Sequence, residues 1–129
     1  MFNWEDFIKL SEELLTKKPS KYEEALYRTI ISRAYYGVFK QVEDFFEDNK
    51  LEELLDKSVK GSHNKIIKFL REHDDHEISN FGEDLDLLRR RRIKADYRAE
   101  KSISEELAKN TLQIAIRLSS QWVHIKSKL

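Results

Sequence analysis

The sequence predicts an all-α fold, an up-and-down helical bundle of four long helices with short helices inserted between them. Three observations support this prediction. Only three of the 129 residues are Gly and one is Pro, so the chain has few of the residues that turns require. Hydrophobic residues make up 40% of the chain and charged residues 37%, a balance typical of amphipathic helices. The apolar residues also recur at spacings of three and four, which is the helical period.

Capping residues and apolar stripes predict the first two helices. Asn3 can cap a first helix, with Asp6 three positions later, and this helix ends near Pro19. Ser20 can cap a longer second helix that runs to about Glu47. The predicted stripes are Phe7, Leu10, Leu14 and Leu15 in the first helix, and Tyr22, Leu26, Ile30, Ala34, Val38, Gln41 and Phe45 in the second, broadened by Thr29, Tyr36 and Val42.

Two short helices are predicted in the middle of the chain. Residues 51–56 form the first, and Gly61 with Ser62 stops the chain and caps the second. Residues 73–80 are polar and aperiodic, so they are predicted to form a loop. The expected apolar positions of the second short helix are Ile66, Ile67, Phe69 and Leu70.

Two further long helices complete the chain. Gly82 is predicted to open the fourth long segment, with acidic residues at its positive end. Ser102 and Glu105 form a capping box for a last helix through about Lys128. Without a linker or an internal repeat, residues 1–129 form one domain. The expected buried residues are Leu85, Leu88 and Ile93 in the fourth helix, and Leu107, Thr111, Ile114, Leu118, Trp122 and Ile125 in the last; the acidic residues are Glu83, Asp84 and Asp86.

Composition narrows the classes of function. Lys plus Arg and Asp plus Glu are equal at 24 each, so a nucleic-acid site must be a local patch and not the field of the whole molecule. The chain has no cysteine, which excludes disulfides, thiolate catalysis and cysteine-ligated zinc and fits a reducing compartment. The apolar runs are too short for a signal peptide or a membrane span, so we expect a cytoplasmic protein.

Four consecutive arginines, residues 89–92, form the densest charge signal. Successive residues of a helix are about 100° apart, so these side chains cannot share one face and at least one must point toward neighbouring helices. Two interpretations stay open. Arg92 and Asp96 can pair on the helix surface at a spacing of four, or the guanidinium groups can bind phosphate with two hydrogen bonds each.

Residues 32–39, Ser-Arg-Ala-Tyr-Tyr-Gly-Val-Phe, combine small and aromatic side chains in the middle of the long second helix. Gly37 costs about 1 kcal/mol relative to alanine there, so a neighbouring group is expected to approach it closely. Ala34 and Gly37 predict a helix crossing. The outward aromatics Tyr35, Tyr36 and Phe39, with Trp122, exceed what one face of a small bundle buries, which predicts a homodimer interface. 

These two segments together resemble the HEPN family. Residues 32–39 are similar to the S-x-A-Y-Y-x-x-F signature of the second HEPN helix, and residues 92–97 resemble the R-x-x-A-D-Y stretch of one HEPN branch. Their order, their separation and the helix layout also agree, so the resemblance spans nearly the whole chain. It implies a HEPN-like helical bundle whose role concerns RNA.

The resemblance implies a composite active site. Active HEPN ribonucleases carry an Arg-x4-6-His motif, and two copies meet across a homodimer to cleave RNA without a metal or another cofactor. Carried over to this chain, the catalytic candidates are Arg91, Arg92, Asp96 and Tyr97. The arginine would hold the scissile phosphate and stabilise charge in the transition state.

The chain departs from the family pattern because it lacks the motif histidine. The fifth residue after Arg91 is Asp96 and the fifth after Arg92 is Tyr97. An aspartate ordinarily titrates near pH 4 and a tyrosine near pH 10, so neither is suited to proton transfer at neutral pH. The four histidines, at positions 63, 73, 76 and 124, lie outside the motif, where a structural role is the more common one; His73 and His76 are also a weak candidate metal pair.

Two functions therefore stay open at this point. The first is a homodimeric endoribonuclease or toxin component with a composite arginine site. The second is a non-catalytic accessory or nucleotide-binding partner of a separately encoded minimal nucleotidyltransferase, as in toxin–antitoxin pairs. In such pairs the resemblance implies modification of a tyrosine near the motif, for which Tyr97 is the nearest candidate, although it can instead bury its ring among the helices.

Overall fold

The computed structural model describes residues 1–17 and 21–129, and all regular secondary structure in these two ranges is helical. The α-helices are α1 (Asp6–Thr16), α2 (Glu23–Asp48), α3 (Ser62–Arg71), α4 (His76–Tyr97) and α5 (Glu105–Lys126), and a short 3₁₀ helix spans Leu51–Leu54. The predicted all-α bundle is confirmed, with its short helices between α2 and α4. The predicted cap at Ser20 lies outside the described residues.

Helix α2 is the centre of the bundle and packs against α1, α4 and α5. Its buried positions cover more than half of the helix circumference, since each residue advances about 100°. The single apolar stripe predicted for α2 therefore covers only part of its buried surface. The fully buried apolar side chains of α2 are Ile30, Ile31, Ala34, Tyr35, Val38, Phe39, Val42 and Phe46.

The helix crossing predicted at Gly37 is present, and α1 is the neighbour. A Cβ atom at Gly37 would lie 2.6 Å from Cγ1 of Ile8 and 3.3 Å from the backbone nitrogen of the same residue. Ile8 and Ser11 are the buried residues of α1, whereas Leu10 is 41% exposed. The predicted apolar stripe of α1 was therefore wrong at Leu10. Because Gly37 has no side chain, α2 packs closely against the side of α1 that carries Ile8, and Leu10 lies on the exposed side.

Helix α4 begins earlier than predicted. Asp75 is its N-cap, and its carboxylate accepts hydrogen bonds from the backbone N–H groups of Glu77 and Ile78. Residues 76–80 are therefore helix and not loop, and Gly82 lies inside α4 instead of opening it. A Cβ at Gly82 would lie 2.6 Å from the backbone nitrogen of Arg71, so this glycine permits close packing of α4 on the end of α3.

The start of α5 also differs from the prediction by two residues. Ser104, and not Ser102, is the N-cap, and its hydroxyl accepts a hydrogen bond from the backbone N–H of Leu107. Ile103 just before the cap is buried, which draws the chain into the bundle at this point. Helix α5 ends at Lys126, close to the predicted end.

The aromatic residues predicted to face outward belong mostly to the core. Tyr35 and Phe39 are fully buried, and Trp122 is 3% exposed and packs against Phe45 and Phe81. Only Tyr36 is partly exposed. The prediction of an aromatic interface was wrong, because α2 is covered on several sides and needs large side chains to fill the space between four helices.

Two further properties concern the described residues as a whole. None of the helices in this part of the chain combines the length and the apolar character that crossing a membrane requires. Within residues 1–17 and 21–129, no three His, Cys, Asp or Glu side chains come together as a group that could hold a metal ion.

Candidate phosphate site

The four arginines of residues 89–92 diverge around α4. Arg90 is exposed and pairs with Asp86 one turn earlier, at 3.2 Å. Arg91 turns toward α5, whereas Arg89 and Arg92 lie three positions apart and share the side of α4 that faces α2. The helical period thus separates the four arginines into three environments.

Arg92 is buried among three tyrosines. It is 7% exposed, and its guanidinium carbon lies 5.3 Å from the ring centroid of Tyr35, 5.1 Å from that of Tyr36 and 5.8 Å from that of Tyr97. Arg92 continues the buried stripe of α4, because Leu85 and Leu88 lie seven and four positions before it. The faces of aromatic rings attract a cation, so this cage stabilises the charge.

The guanidinium of Arg92 has no hydrogen-bond partner among the described residues. Its nearest carboxylate oxygen is Oδ2 of Asp96, 3.9 Å from Nη1, which is an ion pair beyond hydrogen-bond length. Nε of Arg92 is fully buried and unpaired, and so is Nε of Arg89. Buried polar groups are nearly always paired in native proteins, so two adjacent unpaired arginine donors call for an explanation.

The two sequence motifs meet at this place. Ser32 on α2 is 5% exposed, and its hydroxyl donates to Oδ2 of Asp96 on α4 at 3.1 Å. Arg33 donates to the hydroxyl of Ser32 at 3.3 Å and stacks on the rings of Tyr36 and Phe7. The site is therefore built by α2 and α4, with α1 contributing one ring at its edge.

Arg91 lies apart from Arg92 and the residues around it. Its Nη1 donates to Oδ1 of Asn110 at 2.7 Å and to Oγ1 of Thr111 at 3.1 Å, both on α5. Burial lowers the pKa of Arg91, and the neighbouring charge of Arg90 lowers it further. Of the four candidates named from the sequence, the structure brings Arg92, Asp96 and Tyr97 together and places Arg91 on another side of α4.

Tyr97 forms the exposed border of the site. It is 70% exposed, although its ring lies beside the guanidinium of Arg92. The alternative that Tyr97 buries its ring among the helices was wrong, because α4 ends at this residue and no further turn covers it.

Arg28 holds the end of α4 in place and was missed in the sequence. Its Nη1 donates to the carbonyl oxygens of Ala95 at 2.8 Å and Lys94 at 3.3 Å, and its Nη2 donates to those of Lys101 at 2.5 Å and Arg98 at 3.3 Å. The last carbonyls of a helix lack intrahelical partners and carry partial negative charge, so a guanidinium stabilises them. Nothing in the local sequence of α2 indicates this long-range contact.

His63 on α3 is the second residue that the sequence did not single out. Its ring stacks on Phe39 with centroids 4.0 Å apart, and its Nδ1 lies 2.5 Å from the hydroxyl oxygen of Tyr35. Burial lowers the pKa of His63 to about 4, and the positive charges of Arg92 and Arg89 contribute to this shift. Burial raises the pKa of Tyr35 far above its ordinary value. Both groups are therefore neutral at pH 7.

Comparison with known proteins identifies one family. The family model described as HEPN domain matches residues 4–125, which is nearly the whole chain. Neither the curated proteins nor the solved structures include a match to this sequence. The matched range contains the Arg92 cluster, which consists of Ser32, Arg33, Tyr35, Tyr36, Arg92, Asp96 and Tyr97.

Proposed function

Since this chain belongs to the HEPN family, we propose that it acts on RNA through a phosphate site centred on Arg92. The observation that carries the proposal is a guanidinium that is 7% exposed and forms no hydrogen bond with the described residues. Burying a charge without hydrogen-bond partners costs several kcal/mol, which the aromatic cage offsets only in part. A phosphate oxygen is the acceptor that this geometry lacks.

Arginine is well suited to such a ligand. Its planar group can donate two parallel hydrogen bonds to one phosphate, which lysine cannot do. The Nε atoms of Arg89 and Arg92 are fully buried, so a phosphate would be bound by their terminal Nη groups, which form no hydrogen bond with the described residues. The exposed ring of Tyr97 beside Arg92 offers a surface on which a base of single-stranded RNA can stack.

We further propose that the site is completed in a homodimer. HEPN domains commonly dimerise, and two-fold symmetry would place a second copy of the end of α4 opposite the first. Tyr97 is exposed directly at this end, so it would contribute apolar area to the contact. The buried aromatics Tyr35, Phe39 and Trp122 give no support to this interface.

The same geometry argues for binding over rapid cleavage by this protein alone. Arg92 can stabilise charge on a phosphate in the transition state. The motif positions that follow it carry Asp96 and Tyr97, so the imidazole that would transfer protons in an active family member is missing there. We therefore expect RNA affinity with little turnover.

The experiment compares RNA binding of the wild type with that of Arg92→Met and of Arg90→Met. Methionine has a similar length and no charge, so it fills the cage without a phosphate donor. We expect Arg92→Met to weaken binding of a single-stranded RNA at least about tenfold, as loss of a charge-assisted pair predicts. Arg90→Met removes an equal charge from the exposed side of α4 and should change affinity less than about threefold. Equal affinities of the wild type and Arg92→Met would refute the phosphate site.

The exposed hydroxyl of Tyr97 favours a second candidate function. A minimal nucleotidyltransferase could transfer a nucleoside monophosphate from a nucleoside triphosphate to this hydroxyl, with release of pyrophosphate and of the hydroxyl proton, in which case the chain would serve as the partner of that enzyme. Co-expression with a nucleotidyltransferase from a neighbouring reading frame, followed by mass spectrometry, tests this proposal. A nucleotide adduct on the wild type that is absent from Tyr97→Phe supports it, and an unmodified Tyr97 in a purified mixed complex contradicts it.

A further inference from the structure

His63 lies next to the Arg92 cluster without belonging to either sequence motif. It contacts the same two tyrosines as Arg92 does: its ring centroid lies 5.6 Å from that of Tyr35 and 5.9 Å from that of Tyr36. Arg92 lies 5.3 Å and 5.1 Å from these rings. Tyr35 and Tyr36 therefore connect the histidine of α3 with the arginine of α4.

One nitrogen of the imidazole remains available. Nδ1 is paired with the hydroxyl of Tyr35, and stacking on Phe39 fixes the plane of the ring. Among residues 1–17 and 21–129, no group forms a hydrogen bond with Nε2 of His63. In the tautomer in which Nδ1–H donates to the hydroxyl oxygen of Tyr35, Nε2 carries no proton, and a proton taken up there gives the ring a second N–H donor.

The charges around His63 oppose such a proton when the site is empty. Arg89 and Arg92 face it from α4 and Lys40 faces it from α2, and all three lower the pKa of His63. Glu43 on α2 is the acidic group that raises it. The rings of Tyr35 and Tyr36 from α2 complete these surroundings. A phosphate on the two arginines would bring in negative charge and offset the positive field.

We propose that His63 is part of the phosphate site and takes up a proton when a phosphate of RNA binds to Arg89 and Arg92. This inference rests on the proposed function, and it adds a titrating residue that neither motif contains. The proton comes from solvent and no covalent bond changes. The bound state would hold the phosphate with two guanidinium groups and an imidazolium.

Proton uptake on binding makes affinity depend on pH in a defined direction. Affinity increases as pH falls, within the range between the pKa of free His63, about 4, and its pKa in the complex. If the pKa in the complex is about 5.5, binding is about four times tighter at about pH 5 than at about pH 7.5.

The test measures binding of an oligouridylate without terminal phosphates at these two pH values. Uracil and phosphodiester groups keep their charge over this range, so changes in affinity report on the protein. His63→Asn keeps a polar atom near the hydroxyl of Tyr35 and cannot titrate, and His76→Asn is the control because His76 is exposed at the start of α4. We expect tighter binding at the lower pH for the wild type and His76→Asn, and a ratio near one for His63→Asn.

The ring-nitrogen NMR signals of His63 provide the direct readout. In the complex at about pH 5 they should report an imidazolium, and in the free protein a neutral ring. A neutral ring in both states, or an equal pH dependence in His63→Asn, would overturn the proton uptake while leaving the phosphate site intact. Binding that is insensitive to Arg92→Met, or no binding by the wild type, would overturn both proposals.

Discussion

The hydroxyl of Ser32 donates a hydrogen bond of 3.1 Å to Oδ2 of Asp96, and this bond joins α2 to α4. The same oxygen lies 3.9 Å from Nη1 of Arg92. Asp96 is thus drawn toward Ser32, which leaves the carboxylate at ion-pair distance from the arginine but beyond hydrogen-bond length. The serine of one motif thus bonds the carboxylate, while the arginine of the other motif has no hydrogen bond to it.

Replacing Ser32 with alanine should remove this bond and lower the free energy of unfolding by about 1 kcal/mol. Ser32 is 5% exposed, so water cannot readily replace the lost donor. Urea denaturation measures the change, with Ser120→Ala on the exposed side of α5 as the control. RNA affinity should also fall, because Asp96 is then free to pair closely with Arg92. Unchanged stability and affinity would show that the bond does not position Asp96.

Gly82→Ala should destabilise the protein by about 2 kcal/mol or more. The new Cβ would lie 2.6 Å from the backbone nitrogen of Arg71 and 2.8 Å from the carbonyl carbon of Leu70, and backbone atoms cannot rotate away. The gain of about 1 kcal/mol from helix propensity does not compensate for separating α3 from α4. Urea denaturation with Asn80→Ala as an exposed control on α4 tests this. A variant as stable as the wild type would mean that α3 shifts at little cost.

The stability of the free protein should decrease as pH falls from about 6.5 to 4 because of His63. Its pKa is lowered from 6.5 to about 4 in the fold, so the unfolded chain binds more protons in this window and acidification favours unfolding. Partial burial limits the contribution to about 1 to 2 kcal/mol. Urea denaturation at several pH values gives the free energy of unfolding as a function of pH, and this free energy should fall less steeply on acidification in His63→Asn than in the wild type. An equal pH dependence of the free energy of unfolding in the two proteins would contradict the lowered pKa.

Arg28→Ala should loosen the end of α4. Four carbonyl oxygens, those of Lys94, Ala95, Arg98 and Lys101, lose the hydrogen bond from Arg28, and the end of α4 loses a favourable positive charge. Hydrogen exchange of the amides of residues 95–98 should accelerate at least about tenfold. Arg117→Ala, which removes an exposed pair with Asp84, should leave these amides unchanged. Equal exchange rates in Arg28→Ala would show that the last turn of α4 does not depend on this guanidinium.

The sequence predicts the helices well where the apolar spacing is unbroken, as in α2 and α5. It fails at the start of α4 because the first two turns, before Gly82, are mainly polar and only Ile78 and Phe81 continue the buried stripe. The acidic residues after Gly82 also resemble the first turn of a helix. The cap at Asp75 becomes evident only when Ile78 and Phe81 are counted with Leu85 as one stripe.

The candidate site shows a similar division. The arginine run predicts that at least one side chain faces the neighbouring helices but not which one. The expected buried residues of α4 were Leu85, Leu88 and Ile93, whereas in the structure Arg92, and not Ile93, continues the buried stripe of Leu85 and Leu88. His63 contacts Tyr35, which lies 28 positions earlier in the chain, and Arg28 contacts Lys94, which lies 66 positions later. Helical periodicity carries no information on such pairs, so only the packing of α3 and α2 on their neighbours reveals them.

The contacts of α4 also constrain how this chain can change in length. Gly82 fits against the backbone of α3, Arg91 binds α5, and Arg92 enters the tyrosine cage beside α2. Inserting or deleting one residue between Gly82 and Arg91 would rotate everything beyond it by about 100°, so that the glycine and the arginines could not all keep their places. Related chains should therefore keep a constant distance between these positions in an alignment, and accept insertions in the loops after α2 and α4.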